Sequence, residues 1–154
     1  MESQKGNVDF RDLLRRFAEE NVRYLVIGGV ALAYYGRPRY TKDLDIWIDP
    51  AGDNAARVFR VLASFGAPLS GLTEDDFRDP NSIYMFGREP GRIDILNDVD
   101  GVLFDEAWNR RKVDRYMDAT VNIIARDDLI ASKRATGRAG DLRDIEALLE
   151  DEQS

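Results

Sequence analysis

The 154-residue chain contains no cysteine and no histidine. Without cysteine it has neither a disulfide nor a thiolate metal ligand. Without histidine it lacks Ser-His and Cys-His nucleophile systems and histidine-ligated zinc. Any chemistry must therefore use carboxylates, lysine, arginine, hydroxyl groups, the backbone or a bound metal ion. Carboxylate and water ligands suit Mg²⁺ or Mn²⁺.

Long apolar runs are also missing. No stretch approaches the roughly 20 residues of a membrane span, and residues 1–7 are polar, unlike a secretory signal. We therefore expect a cytoplasmic protein. The net charge of −7 argues against a broad basic surface for duplex nucleic acid. Local basic clusters at residues 37–42, 110–115 and 133–143 still allow a narrower basic path.

The chain length fits one domain, residues 1–154, with a helical C-terminal segment over about residues 127–150. Hydrophobic periodicity predicts strands at residues 23–27, 40–48, 82–86, 92–96, 112–117 and 120–125. It predicts helices at residues 10–17 (capped by Asp9), 30–35, 58–65, 104–110 and beyond 127, the last interrupted at Gly137 and Gly140. The order predicts an α/β or α+β fold: a mixed sheet with helices packed on one side.

Aspartates inside two predicted strands are the most informative residues. Aspartate is disfavoured in strands, yet Asp43 and Asp45 lie in one and Asp94 in another. Side chains alternate across a strand, so Asp43 and Asp45 share one face. The opposite face is apolar: Leu44, Ile46 and Ile48.

The three carboxylates converge on one patch if the two strands are neighbours. They then repel each other unless a cation joins them, which points to Mg²⁺ or Mn²⁺ and to phosphate chemistry. The alternative is that they are solvent-facing charges on an exposed sheet face.

A glycine pair, Gly28-Gly29, ends the first predicted strand and opens a helix. Glycines without a Cβ atom let the backbone approach a phosphate, and helix N-terminal N–H groups can bind it. The alternative interpretation is an ordinary strand-to-helix turn.

Together these segments resemble the nucleotidyltransferase superfamily, in particular its minimal and AbiEii-like toxin branches. The first motif of that family is a Gly-Gly or Gly-Ser pair, about a dozen residues, and Asp-x-Asp in a strand. Gly28-Gly29 and Asp43-Leu-Asp45 match it. The run Arg-x-Thr-x-Asp-Leu-Asp, residues 39–45, is similar to the AbiEii-type form, and Asp94 matches the family's third carboxylate. A late motif, a lysine followed by arginine and spaced aspartates, matches residues 133–144.

The resemblance implies a metal-dependent transfer of a nucleoside monophosphate from a nucleoside triphosphate, ATP among them, to a hydroxyl of RNA or protein. It also implies a role in a toxin–antitoxin pair, with a cognate partner. The metal ligands would be Asp43, Asp45 and Asp94, which with Lys133 form the catalytic set. The nucleotide-binding residues would be Gly28, Gly29, Arg39, Thr41 and Lys133.

Two of these assignments have bland alternatives. Lys133 lies on the same helix face as Leu129 and Ile130, so it needs an anionic partner: a triphosphate, or a carboxylate such as Asp141. It could equally be a lysine that snorkels at the edge of the core. Arg39 lies in phase with Asp43 and could form a salt bridge with a carboxylate instead of contacting phosphate.

Two other functions fit the same residues. One is a binding module with the nucleotidyltransferase fold and no turnover, because a fold does not establish activity. The other is a nucleotidyltransferase that modifies a small molecule of the aminoglycoside type, because an acidic cleft suits a cationic acceptor.

Overall fold

The structure, a computed structural model, describes residues 6–36 and 43–153. Within these residues the chain forms six strands and six α-helices. The strands are β1 Tyr24–Ile27, β2 Asp43–Ile48, β3 Ile83–Phe86, β4 Arg92–Leu96, β5 Lys112–Tyr116 and β6 Ala119–Ile123. The helices are α1 Val8–Glu19, α2 Gly28–Tyr34, α3 Gly52–Phe65, α4 Phe104–Arg110, α5 Arg126–Thr136 and α6 Ala139–Gln153, with a short 3₁₀-helix at Glu74–Phe77.

The six strands form one mixed sheet in the order β3-β4-β2-β1-β6-β5. Consecutive predicted strands form two hairpins, the antiparallel pairs β3–β4 and β5–β6. Strand β2 pairs antiparallel with β1 and parallel with β4. The predicted mixed sheet with packed helices is therefore confirmed, and the strands that contain the aspartates are neighbours.

The core lies where the apolar face of the sheet meets α1 and α3. Helix α1 contributes the residues that its periodicity predicts, all buried: Phe10, Leu13, Leu14 and Phe17. The inward residues of β2 and β4 are buried as well: Leu44, Ile46, Ile48, Ile93 and Ile95. This apolar face holds β2 and β4 in one register, because a slip by one residue would turn every side chain to the opposite face.

The sheet is covered on more than the one side that the sequence predicts. Trp47 shares the face of Asp43 and Asp45, but its side chain is only 1% exposed. It packs edge-to-face on Phe104 of α4, with ring centroids 5.0 Å apart. Helix α4 thus closes one end of this face, and Trp47 is a core residue.

Two predictions about helix ends, the cap at Asp9 and the interruption at Gly140, are wrong. Asn7, not Asp9, caps α1: its side-chain oxygen accepts hydrogen bonds from the backbone N–H groups of Asp9 and Phe10. Asp9 lies in the first turn, where a carboxylate also favours the helix. Gly137 ends α5 in a left-handed conformation as predicted, whereas Gly140 lies inside α6. No helix within the described ranges has both the length and the apolarity to cross a membrane.

Asn54 of α3 ties two strands together, and its loss should destabilise the fold. The side chain is buried, accepts a hydrogen bond from the Arg23 N–H (2.7 Å), and donates to the carbonyls of Arg23 (3.0 Å) and Asp49 (2.7 Å). Asn54→Ala leaves the Arg23 N–H and the Asp49 carbonyl without these partners, while the Arg23 carbonyl keeps its hydrogen bond from the Asp49 N–H (3.2 Å), so we expect a loss of about 2–4 kcal/mol in the free energy of unfolding. Urea unfolding measures it. Asn109→Ala, at an exposed helical position, is the control and should change it by less than about 0.5 kcal/mol; equal losses would contradict the prediction.

Candidate active site

The parallel pairing of β2 with β4 brings the three predicted carboxylates together. In this register Asp45 lies opposite Asp94, and Asp43 lies opposite Arg92. One carboxylate oxygen from each of Asp43, Asp45 and Asp94 lies within 4.8 Å of the others. The convergence predicted from strand alternation is therefore confirmed for these residues.

The carboxylates are crowded and partly shielded from water. Asp94 is 8% exposed, and Asp43 and Asp45 are half-buried. Burial, the charge of Asp43 and a hydrogen bond and charge from Asp94 raise the pKa of Asp45 from 3.8 to about 7. Like charges this close disfavour full ionisation. In the metal-free protein the Asp45 carboxyl group therefore stays protonated at pH values at which an ordinary aspartate is ionised.

The donor set fits a hard divalent cation. Three carboxylates with oxygens within 4.8 Å of one another match the few carboxylates that Mg²⁺ takes in addition to water and substrate phosphates. A divalent ion would offset the repulsion that raises the pKa of Asp45. The residues present are therefore suited to Mg²⁺ or Mn²⁺.

Gly28 makes room for Asp45. Its backbone has φ +68°, in the left-handed region, and a Cβ atom placed on it would lie 2.1 Å from Oδ2 of Asp45. The register explains the contact, since Ile27, the last residue of β1, pairs with Asp45. The space that the missing side chain leaves is thus occupied by a carboxylate of the site. Gly29 follows in the first turn of α2.

Arg92 is a site residue that the sequence reasoning missed. Its Nε donates to Oδ1 of Asp94 (2.9 Å), and its Nη2 donates to Oδ2 of Asp43 (2.7 Å) and Oδ2 of Asp94 (3.1 Å). The hydrogen bond and charge of Asp94 raise the pKa of Arg92 above its ordinary value. A signal was present: Arg92 stands two residues before Asp94 in a strand and so shares its face.

Lys133 belongs to α5, and its side chain pairs with two aspartates of α6. Its face is inward as predicted, since Leu129 and Ile130 are buried and the Lys133 side chain is 12% exposed. Its Nζ lies 3.3 Å from Oδ1 of Asp141 and 3.0 Å from Oδ2 of Asp144. The anionic partners of Lys133 in this structure are therefore carboxylates, one of them the predicted Asp141.

Asp141 has a second cationic neighbour. Arg138 donates from its Nε to Oδ2 of Asp141 at 3.0 Å. Burial raises the pKa of Asp141, but hydrogen bonds from Arg138 and Lys133 outweigh it and hold the pKa below the ordinary value. Asp141 is therefore an ionised anchor for the end of α5.

Arg39 and Thr41 lie outside the described residues, so their nucleotide-binding roles stay predictions. Two tyrosines at the end of α2 have structural partners. Tyr35 donates its hydroxyl to the Ile124 carbonyl at 2.6 Å, and Tyr34 donates to Asp114 at 2.6 Å. These contacts join the end of α2 to the β5–β6 part of the sheet.

Solved structures share this arrangement of strands and helices. A lincosamide antibiotic adenylyltransferase, LnuA, with bound lincomycin is 16% identical; the match covers 94% of this chain and 96% of that one, with a TM-score of 0.61. A putative nucleotidyltransferase from Thermotoga maritima is 16% identical over 92% of this chain and 88% of that one, with a TM-score of 0.59. The chain has the nucleotidyltransferase fold.

A third structure agrees with this assignment. An antigenic nucleotidyltransferase-like protein from Paracoccidioides brasiliensis is 14% identical over 91% of this chain and 73% of that one, with a TM-score of 0.51. No protein-family model and no curated protein sequence matches the chain. The resemblance to the nucleotidyltransferase superfamily is confirmed at the level of the fold. The narrower placement in its minimal or AbiEii-like branch stays a prediction.

Gly28→Ala should damage the site more than the fold. The added methyl group would strike the Asp45 carboxylate, so we expect Mn²⁺ binding, followed by electron paramagnetic resonance, to weaken at least about tenfold. Gly71→Ala is the matched control, because Gly71 has φ +81° but nothing within 4 Å of the added Cβ. Both variants should lose about 1–2 kcal/mol of stability from backbone strain. Equal Mn²⁺ affinity in the two variants would contradict this reasoning.

Asp45→Asn should stabilise the protein when chelator removes divalent ions. An ordinary aspartate ionises near pH 3.8, whereas folded Asp45 stays protonated until about pH 7, so wild-type stability falls as the pH rises between these values. We expect the melting temperature of Asp45→Asn to exceed that of the wild type by about 5 °C or more at pH 8. The difference should shrink toward pH 4. Asp98→Asn, at an exposed position, should match the wild type; a destabilised Asp45→Asn at pH 8 would refute the prediction.

Proposed function

We propose that this protein is a metal-dependent nucleotidyltransferase that transfers a nucleoside monophosphate from a nucleoside triphosphate to an acceptor hydroxyl. The observation that supports it most is the convergence of three carboxylates within 4.8 Å on a sheet with the nucleotidyltransferase fold. Either feature alone is weaker, because acidic clusters occur without ions and a fold does not establish activity.

Each carboxylate has a role in this proposal. Asp43, Asp45 and Asp94 would hold Mg²⁺ or Mn²⁺, which supplies neutralisation of the phosphate charges and a lower pKa for the attacking hydroxyl. Asp94, the most buried of the three, accepts the hydroxyl proton. Gly28-Gly29 lies beside Asp45, and its backbone positions the triphosphate next to the carboxylates.

The reaction is a substitution at the α-phosphorus. The acceptor oxygen forms a bond to the α-phosphorus, the bond from that phosphorus to the oxygen bridging the α- and β-phosphates breaks, and pyrophosphate leaves with the electron pair. The chain contributes positioning and fixed charges, which are the main contributions of proteins to phosphoryl transfer. Lys133, whose ammonium pairs with Asp141 and Asp144, would contribute through the nucleotide phosphates or the acceptor.

Two classes of acceptor fit the proposal. The sequence resemblance favours a hydroxyl of RNA or protein within a toxin–antitoxin pair. One solved structure favours a small molecule, because a lincosamide antibiotic adenylyltransferase shares this fold over 96% of its own length. The net charge of −7 suits a cationic small molecule.

Pyrophosphate release tests the proposal. The protein is incubated with Mg²⁺ and each labelled nucleoside triphosphate, in the presence of total RNA, protein or an aminoglycoside or lincosamide. We expect label transfer to one acceptor class, and a loss of at least about 10³-fold in Asp43→Ala/Asp45→Ala. Asp53→Ala/Asp98→Ala is the matched control, since it removes the same charge from exposed positions and should retain wild-type turnover.

The outcomes separate the alternatives. Transfer to RNA or protein supports the toxin-like acceptor, and transfer to an antibiotic supports the small-molecule one. Nucleotide binding without turnover, with every acceptor tested, would contradict the proposed enzymatic activity and would favour a binding module that does not catalyse transfer. Equal turnover in the site double mutant and its control would remove the carboxylates from the mechanism.

A further inference from the structure

Arg92 makes an unusually full set of contacts with the carboxylate site. Two of its nitrogen atoms donate to both oxygens of Asp94, at 2.9 and 3.1 Å, and one of them also donates to Asp43 at 2.7 Å. Its side chain is 33% exposed, against 11% for that of Asp94. The guanidinium therefore covers two of the three carboxylates from the solvent side.

The charge balance explains why a cation belongs there. Asp43, Asp45 and Asp94 would bear three negative charges within 4.8 Å. A guanidinium is permanently charged, and its planar fork matches carboxylate oxygens. Arg92 can thus neutralise Asp43 and Asp94 by the same electrostatic attraction that would hold a divalent ion.

A further carboxylate lies close enough to pair with the Arg92 guanidinium if a metal ion displaces it from the cluster. Nη1 of Arg92 is 3.4 Å from a carboxylate oxygen of Glu89, in the loop that joins β3 to β4. The Glu89 side chain is 44% exposed, so Arg92 can turn toward it without burying its charge. Arg92 therefore lies between a partly buried acidic cluster and an exposed glutamate, and both offer carboxylate oxygens to its guanidinium.

We propose that Arg92 is a resident counter-ion, which stabilises the carboxylate cluster in the metal-free protein and competes with the divalent metal for Asp43 and Asp94. The inference rests on the proposed function, because it takes the cluster to be the metal site. Arg92 is a positioning residue in this proposal: it acts through the carboxylates and sets the metal concentration at which the site fills.

The competing explanation is purely geometric: Arg92 holds Asp43 and Asp94 in place, and metal needs it there. Three variants separate charge from geometry. Arg92→Gln removes the charge, and Arg92→Lys keeps the charge but loses the fork. Arg110→Gln is the matched control, because Arg110 binds both oxygens of buried Asp128 through the same two types of nitrogen, Nε (3.0 Å) and Nη2 (2.8 Å).

Mn²⁺ binding to the nucleotide-free protein is the decisive measurement, by electron paramagnetic resonance or calorimetry. We expect Arg92→Gln to bind Mn²⁺ about tenfold more tightly than the wild type, because a unit charge next to the ion is removed. Arg92→Lys should stay within about threefold of the wild type, and Arg110→Gln should equal it. Weaker binding by both Arg92 variants supports the geometric role and overturns the proposal, as does no Mn²⁺ binding by any variant.

A second measurement uses the wild type and does not depend on a variant's stability. The Arg92 Nε–H signal in a nitrogen-15 NMR spectrum should be protected from solvent exchange in chelator and lose that protection as Mg²⁺ is added. The Arg110 Nε–H signal is the internal control and should not respond. An Arg92 signal that stays protected at saturating Mg²⁺ overturns the proposal.

Failure here is distinguishable from failure of the proposed function. If the wild type releases pyrophosphate in a metal-dependent reaction but Arg92→Gln binds Mn²⁺ as the wild type does, the proposed enzymatic function is supported and the counter-ion role of Arg92 is contradicted. If Arg92→Gln binds Mn²⁺ more tightly but the wild type turns over no nucleotide, the counter-ion role is supported and the proposed enzymatic function is contradicted.

Discussion

The parallel pairing of β2 with β4 is the constraint on which the site depends. It places Asp45 opposite Asp94 and Asp43 opposite Arg92, and a slip by one residue would send all of them into the core. What prevents the slip is the apolar set on the other face, Leu44, Ile46, Ile48, Ile93 and Ile95. Burial of these side chains stabilises the same register that brings the carboxylates together. The free energy of apolar burial therefore offsets the electrostatic repulsion among the three carboxylates.

That repulsion is offset in two ways within the described residues. The raised pKa of Asp45 removes one negative charge over much of the pH range, and the guanidinium of Arg92 pairs with Asp43 and Asp94. Both compensations are reversible, since a proton and a flexible side chain can each yield to a divalent ion. The cluster is therefore stable enough to fold yet still suited to bind metal. A fixed buried salt bridge would be harder to displace.

Strand alternation and turn chemistry made the local features of this fold predictable. The shared face of Asp43 and Asp45, the hairpin β3–β4 and the end of α5 at Gly137 all follow from sequence periods and glycine positions. Long-range features did not follow, because strand order depends on packing between distant segments. The sequence did not show that the two strands with the aspartates are neighbours; the prediction of convergence only assumed it. The Arg92 contacts, Asn7 as the cap and α4 over Trp47 likewise needed the structure.

The glycine pair and Lys133 show how one sequence motif can have two physical causes. A glycine before a phosphate site suggests backbone approach to the ligand, but at Gly28 the space of the missing Cβ is filled by the Asp45 carboxylate. An inward lysine suggests a phosphate contact, but Lys133 lies between Asp141 and Asp144. Moving it to a nucleotide would leave two partly buried carboxylates without that partner, at a cost typical of broken buried ion pairs. Nucleotide binding through Lys133 therefore breaks existing ion pairs, whereas a metal ion bound by Asp43, Asp45 and Asp94 relieves a repulsion already present.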